Sequence, residues 1–366
     1  MSTRVLVVDD ASIFRRVISE ALAGLPGVEV AGTAGNGRLA LARLASLQPD
    51  LITLDVEMPE MNGIQTLEAM RSAGVKTSVI MLSSCTVRGG KMTLRALEAG
   101  AFDFITKPEG GSPEENVIRL RDSLRPMIVT LERQREIHSI LNGGGTKLSP
   151  SATLIPCASP PRPAGIRAPG RSGSPIVLIG VSTGGPTALA ELVPALPSKL
   201  GAPVFIVQHM PPHFTAALAE RLQTRSAILI KEAEEGEIAH ADCIYLAPGG
   251  RHMKLSPGQR GEIVIGITDD PPENACRPSV DYLFRSVALH FPGRSIAAIL
   301  TGMGNDGTEG MRMLKRGGSL TIAQDEASCV VFGMPREAIL AGVVDTVVPL
   351  GKIAGTIMRA IAEVRA

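Results

Sequence analysis

The sequence predicts two α/β domains in series, each built on a mainly parallel sheet. Three observations lead there. Short apolar runs alternate with helical patterns on both sides of the chain's middle, which is the rhythm of helix-covered parallel strands. Composition changes abruptly over about residues 141–175. Finally, 366 residues that are 44% hydrophobic exceed what one ordinary core absorbs.

In the first region the strand candidates are Val5–Val8, Val28–Ala34, Leu51–Leu54, Ser78–Leu82 and Phe102–Thr106. Amphipathic stretches such as Ala11–Leu25 and Gly37–Leu47 separate them, so a doubly wound five-stranded parallel sheet is expected. Residues 143–175 are about half Pro, Gly and Ser, and carry four basic residues and no acidic one. Such a stretch buries too little apolar surface to offset its ordering entropy and reads as a flexible linker. Beyond it, Ile176–Val181, Val204–Gln208, Ala227–Ile230, Ile296–Thr301 and Leu320–Ala323 are strand candidates, and Ile263–Ile267 suggests a hairpin. The expected division is 1–125, a helix end and linker over 126–175, and 176–366.

Composition removes several classes of function. Lys+Arg number 37 and Asp+Glu 36, so no global basic field draws the chain to nucleic acid or anionic lipid. Trp is absent and aromatics are 3%, which leaves few stacking platforms for single strands. No apolar run reaches the roughly 18 residues of a membrane span, and Met1 leads straight into charge without a cleavage pattern. A cytoplasmic protein is expected, with no membrane insertion. The five cysteines are scattered, odd in number and without a C-x-x-C pair, so they read as reduced thiols rather than a disulfide framework or zinc site.

Chemistry-bearing residues gather at strand ends. Asp9 and Asp10 follow the first strand and Asp55 the third, and these ends are neighbours at the switch point of a doubly wound sheet. Three carboxylates there repel one another unless a cation joins them, and a hard divalent ion such as Mg²⁺ suits oxygen ligands. Ser83 closes the fourth strand and Lys107 the fifth, adding a hydroxyl and a cation suited to a phosphoryl group.

These residues, with Leu54-Asp55-Val56-Glu57-Met58-Pro59 and Lys107-Pro108, resemble the response-regulator receiver family over about residues 1–125. The resemblance implies a flavodoxin-like fold in which Asp55 accepts phosphate from a histidine kinase. It also implies that Asp10, Asp55 and the Glu57 backbone carbonyl hold Mg²⁺, with Asp9 assisting indirectly. Ser83 and Phe104 match the family's switch positions, although many members carry Tyr at the second.

Three further motifs lie in the second region. Gly180-Val181-Ser182-Thr183-Gly184 is a G-x-S-x-G pattern between an apolar strand and a helix led by Pro186. A nucleophile elbow, a structural glycine turn and a phosphate loop all fit it. His209 ends the next strand, and His213 stands four residues later, but Pro211 and Pro212 prevent the regular helix that would aim both at one metal. Asp306 lies in Thr301-Gly302-Met303-Gly304-Asn305-Asp306-Gly307, a turn-rich loop that can orient a histidine or be a plain Asx turn.

Together, Ser182-Thr-Gly-Gly, Gln208-His209-Met-Pro, Tyr245-Leu-Ala-Pro-Gly-Gly, Arg277-Pro-Ser-Val-Asp and the 301–307 loop resemble the chemotaxis protein-glutamate methylesterases, the CheB family, over about 175–350. The resemblance implies Ser182 as nucleophile, His209 as general base, Asp306 as its orienter and the Met303 N–H in the oxyanion hole. Methyl-accepting chemotaxis receptors would be substrates and a chemotaxis histidine kinase the phosphodonor. The esterase would need no cofactor, and related enzymes also deamidate receptor glutamines. A non-catalytic binding output and a nucleotide-binding oxidoreductase are the competing classes.

Overall fold

Fully apolar strands bury both faces only when helices cover a sheet on each side, and both halves of the chain adopt that solution. The structure, a computed structural model, describes residues 2–142 and 174–365. In the first half, β1 (Thr3–Val8), β2 (Val28–Ala34), β3 (Leu51–Asp55), β4 (Ser78–Ser83) and β5 (Asp103–Thr106) pair in parallel, in the order β2-β1-β3-β4-β5. The pleat divides the strands by parity. Val5, Val7, Leu51 and Ile80 pack with α1 (Ser12–Ala23) and α5 (Pro113–Asn142). Leu6, Val8, Ile52 and Leu54 face the other side, with α2 (Gly37–Leu47), α3 (Gly63–Ser72) and α4 (Val87–Glu98). Asn36 and Asn62 cap α2 and α3 through their side chains, which fixes where the connections enter the helices.

Helix α5 carries on past residue 125. The Thr3 hydroxyl donates to Glu132 at 2.7 Å, and Arg135 pairs with Asp50. Of the linker expected beyond it, residues 143–173 lie outside the described residues.

The second half forms a seven-stranded parallel sheet in the order β14-β13-β12-β6-β7-β9-β8. Its strands are β6 (Ile176–Val181), β7 (Val204–Gln208), β8 (Leu229–Glu232), β9 (Cys243–Leu246), β12 (Ser295–Ile299), β13 (Leu320–Gln324) and β14 (Thr346–Val348). The expected hairpin is present as β10 (His252–Pro257) against β11 (Ile263–Thr268). Helices α6 (Gly185–Leu192), α7 (Phe214–Gln223), α8 (Val280–His290), α9 (Thr308–Arg316), α10 (Met334–Leu340) and α11 (Leu350–Arg365) surround the sheet. Strand β8 starts two residues later than the apolar run suggests. Residues 226–228 are instead held at the end of α7, where Gln223 accepts the Ile230 N–H and donates to the carbonyls of Ser226 and Ile228. Strands β9 and β14 have no period-2 signal of their own; four and three residues are too few to show one.

The two sheets meet through α4 and β5 on one side and α7 on the other. Phe104 stacks on Phe214 with ring centroids 4.7 Å apart, and Phe214 is fully buried. Lys91 pairs with Glu220 at 2.7 Å, and Glu98 takes both Arg221 and Arg225. The backbone carbonyl of His213 and the Phe214 Cα approach Gly90 so closely that any Cβ there would touch them.

Gly180, in the central strand β6, has a similar role inside the second half. A Cβ at this position would stand 2.5 Å from Val280 Cγ1 and 2.9 Å from Ile299 Cδ1. Gly180→Ala should therefore overpack the joint between β6 and α8 by about 1–3 kcal/mol, and calorimetry should show Tm falling by roughly 2–10 °C.

Candidate active site

The site in the second half follows from strand order. Strands β12, β6 and β7 are adjacent and parallel, so their carboxyl ends share one rim, where open α/β sheets bind ligands. The loop carrying Asp306 leaves β12, Ser182 follows β6, and His209 follows β7. The join is made by the backbone: the His209 N–H donates to the Val181 carbonyl at 3.1 Å, and the Ser182 N–H to the Thr301 carbonyl at 3.0 Å. The Gln208 amide then donates to the carbonyls of Ser182 (2.9 Å) and His209 (3.2 Å), bracing the two positions against each other. The turn after Ser182 needs Gly184, whose φ of 77° and contact with Val330 leave no room for a side chain.

Asp306 is the most heavily bonded carboxylate of the site. It receives His209 Nε2 at 2.8 Å, the Val280 N–H at 2.6 Å, the Asp281 N–H at 3.1 Å, the Ser279 hydroxyl at 2.9 Å and the Asn274 amide at 2.9 Å. Three of these donors are the cap and first turn of α8, where N–H groups have no helical partner and the dipole favours negative charge. Burial pushes the Asp306 carboxyl up, but His209, Asn274 and Val280 outweigh it and hold it well below the usual carboxylate range. Asp281 caps the neighbouring helix by accepting the Gly310 N–H at 2.6 Å. Its burial, with Asp306 beside it, pushes it up to about 6.

An ionised Asp306 decides the imidazole tautomer. In the neutral ring Nε2 must carry the hydrogen that meets Asp306, so Nδ1 carries the lone pair and is the atom that gains and loses the proton. Burial pulls His209 down, yet Asp306 and Cys276 together raise it to about 9. Cys276 Sγ lies 3.6 Å from Nδ1.

The structure thus brings His209 and Asp306 into contact, with Ser182 on the adjoining strand end. The expected series of touching groups is not closed, however. Among the described residues the Ser182 hydroxyl has no hydrogen-bond partner, and the side chain meeting Nδ1 is the Cys276 thiol. The N–H groups of Thr183 and Met303 donate to no acceptor among the described residues and are free for a ligand. His213 takes a left-handed φ of 71° just before α7, off any helix shared with His209.

Sequence reasoning missed Asn274, Cys276, Ser279 and the α8 amides. The one local signal was Ser279 after Pro278 with an acidic residue two positions on, a helix start. What such a start would hold was invisible, because Asp306 lies 27 residues away.

In the first half, Lys107 Nζ bridges Asp9 at 2.7 Å and Asp55 at 2.8 Å. Burial pushes Asp55 up to about 6 against the pull of Lys107. Carboxylate oxygens of Asp9, Asp10 and Asp55 lie within 4.8 Å of one another. Asp9 Oδ2 is buried, with Lys107 Nζ as its partner at 2.7 Å. Glu57 and Asn62 border the adjoining pocket. Ser83 lies fully buried at the end of β4, beside Thr106 of β5. Phe104 points instead into the contact with Phe214, a role that its switch-position match did not reveal.

Comparison with known proteins agrees with this layout. A family model described as CheB methylesterase matches residues 177–357, and one described as response regulator receiver domain matches residues 5–117. A protein-glutamate methylesterase/protein-glutamine glutaminase of Desulfotalea psychrophila is 48% identical over 363 residues, 98% of each chain. One of Halalkalibacterium halodurans is 43% identical over 359 residues, 97% of each. The crystal structure of the Thermotoga maritima CheB methylesterase catalytic domain matches 51% of this chain and 98% of its own, at 42% identity and a TM-score of 0.50.

The imidazole offers a direct check on the site. By NMR, His209 should titrate near pH 9, and Asp306→Asn should move its inflection to lower pH, because the partner that favours imidazolium is gone. With the folded value above the unfolded one, the stability contributed by the pair is complete below about pH 6.5 and is lost as pH rises through about 9.

Proposed function

The chain belongs to the protein-glutamate methylesterase/protein-glutamine glutaminase family, CheB, and from that membership we propose that its second domain hydrolyses methyl-esterified glutamates on chemotaxis receptors under control of a phosphorylated first domain. The observation that carries this reading is the His209–Asp306 pair at the strand ends that flank Ser182.

Ser182 is the nucleophile. Its hydroxyl gives its proton to His209 Nδ1 as the oxygen attacks the ester carbonyl, which requires the imidazole to turn its lone pair from the Cys276 thiol to the serine. The N–H groups of Thr183 and Met303 take the oxyanion, and the nearby start of α6 adds its dipole. His209 returns the proton to the leaving methoxide, and methanol departs. Water, deprotonated by the same nitrogen, then cleaves the acyl-enzyme to leave the glutamate carboxylate and free serine. Asp306 holds the tautomer and stabilises the imidazolium formed in each half-reaction. An amide carbonyl is polarised by the same donors, so receptor glutamine is a second substrate, with ammonia as leaving group. All of these steps run on protein groups, without a cofactor.

The first domain, within about 1–125, is the control element. Asp55 attacks the phosphoryl group of a kinase phosphohistidine. Asp10, Asp55 and the Glu57 carbonyl would hold Mg²⁺, with Asp9 behind them, and a bound ion would offset charge on the phosphoryl oxygens. Lys107 and Ser83 bind the product phosphoryl group. Its roughly two negative charges pull Lys107 and Ser83 inward at the ends of β4 and β5. Phe104 lies in β5, so the same shift loosens its stack on Phe214. Thr183, next to Ser182, bonds the Asp103 carboxyl, which burial pushes up to about 6. The first domain therefore covers the rim until phosphorylation releases it. No helix among the described residues is long and apolar enough to cross a membrane, which fits an enzyme reaching a receptor's cytoplasmic helices from outside the bilayer.

Methanol release from methylated receptor membranes, with and without a small phosphodonor and Mg²⁺, tests the whole reading. Ser182→Ala should lower the stimulated rate by several orders of magnitude, as removal of a triad nucleophile does; near-normal turnover would refute the nucleophile. Phe104→Ala should raise the rate without phosphodonor several-fold, and should do so equally in an Asp55→Asn background that no longer responds to phosphodonor. A basal rate unchanged by Phe104→Ala would refute the covering role.

A further inference from the structure

The catalytic imidazole has a second neighbour that hydrolysis does not use. Cys276 is half-buried on the rim, and its Sγ lies 3.6 Å from His209 Nδ1. The thiol is held there by a tight turn. Glu273 and Cys276 exchange backbone hydrogen bonds of 3.1 and 2.9 Å across Asn274 and Ala275. Both central residues have left-handed φ, 53° and 59°. A left-handed Ala costs on the order of 1 kcal/mol, so the surrounding structure must enforce the turn. The Asn274 amide does so by bonding Asp281 and Asp306, each at 2.9 Å.

We propose that Cys276 and His209 form an inhibitory site for a thiophilic divalent ion, of which zinc is the natural occupant. Three features of the pair match what zinc requires. The first is span: Zn–S of about 2.3 Å and Zn–N of about 2.0–2.1 Å at a tetrahedral angle place sulfur and nitrogen about 3.5 Å apart, close to the observed 3.6 Å. The second is the tautomer: Asp306 occupies Nε2 and leaves the lone pair on Nδ1, the atom that faces the thiol. The third is the outer contact: a zinc-bound imidazole characteristically donates its other N–H to a carboxylate, and Asp306 already accepts it at 2.8 Å. Asp306 is therefore an orienter of the ligand and not itself a ligand.

On binding, the Cys276 S–H proton and, below about pH 9, the Nδ1 proton leave to solvent; the thiolate and Nδ1 bond to the ion, and water fills the remaining positions. The lone pair that would accept the serine proton is then engaged, and hydrolysis stops. Two protein ligands make a weaker site than a structural one, so inhibition is reversible. Mg²⁺ does not compete, because it prefers oxygen donors.

The inhibitory effect rests on His209 being the base, but occupancy of the site does not, and the test separates them. The full-length protein is given phosphodonor and Mg²⁺, then titrated with Co²⁺ as a spectroscopic stand-in and with Zn²⁺ for activity. Co²⁺ should give a thiolate-to-metal charge-transfer band that is absent from Cys276→Ala and His209→Ala but present in Cys85→Ala and in the inert Ser182→Ala. Zn²⁺ should reduce methanol release at least tenfold, with recovery on adding a zinc-selective chelator. Cys276→Ala, judged against its own metal-free rate, should need at least tenfold more Zn²⁺ for the same fractional loss. A band that survives in Cys276→Ala, or equal zinc sensitivity of the two proteins, would overturn the site. A band specific to Cys276 with no loss of wild-type activity would overturn the inhibition.

Discussion

The site depends on a buried negative charge held at the start of a helix. Asp306 is 2% exposed, and an unpaired carboxylate at that depth would take up a proton. Five donors prevent this, three of them from Ser279, Val280 and Asp281 at the head of α8. Hydrogen bonds to a charged group are worth about 1.5–3 kcal/mol each, so the set outweighs burial and keeps the carboxylate ionised. From that ionisation follow the hydrogen on Nε2, the lone pair on Nδ1, and the side of the imidazole on which chemistry and metal binding can occur. Asp306 thus meets Nε2 rather than Nδ1, the reverse of the arrangement in serine proteases.

The same economy of contacts governs the join between the domains. Phe104 belongs to the first sheet, yet its ring lies on Phe214 at the start of α7. Two residues before α7 begins is Pro212, whose carbonyl accepts the Cys85 thiol at 3.8 Å. The sheet that carries Asp55 and the sheet that carries Ser182 are joined by an aromatic stack rimmed by ion pairs such as Lys91–Glu220. Exposed ion pairs contribute little each, whereas the stack sets the half-buried Phe104 ring on the fully buried Phe214. A contact of that kind can be opened by a modest shift of β5 without unfolding either sheet.

Much of this was legible from local pattern. Apolar runs located the strands of the first sheet to within a residue or two, because its central strands β1, β3 and β4 are buried on both faces and no register competes. Asp9, Asp10, Asp55, Ser83 and Lys107 could be placed at one sheet edge from connectivity alone, and they do meet there. Ser182, His209 and Asp306 likewise follow three strands, and strand order made those strands neighbours. Less legible were β8, whose start is displaced by Gln223, and the short strands β9 and β14. The cysteines read as unpaired and remote from any metal pattern. That inference looked for close spacing in sequence, whereas Cys276 meets its histidine from 67 residues away.

By itself, then, the sequence determined two α/β domains and the identity of the groups at their rims. Burial periodicity and turn chemistry are properties of short windows, and a side chain that follows a strand in a parallel sheet can only lie at its carboxyl end. Which atoms touch was decided by the tertiary structure. The α8 amides on Asp306, the Cys276 thiol on Nδ1, the Gln208 brace and the Phe104–Phe214 stack each join segments whose relative placement depends on sheet order and helix packing. Those contacts are accurate to a fraction of an ångström only after the whole core has closed, because the cores of both domains position them and no local preference does.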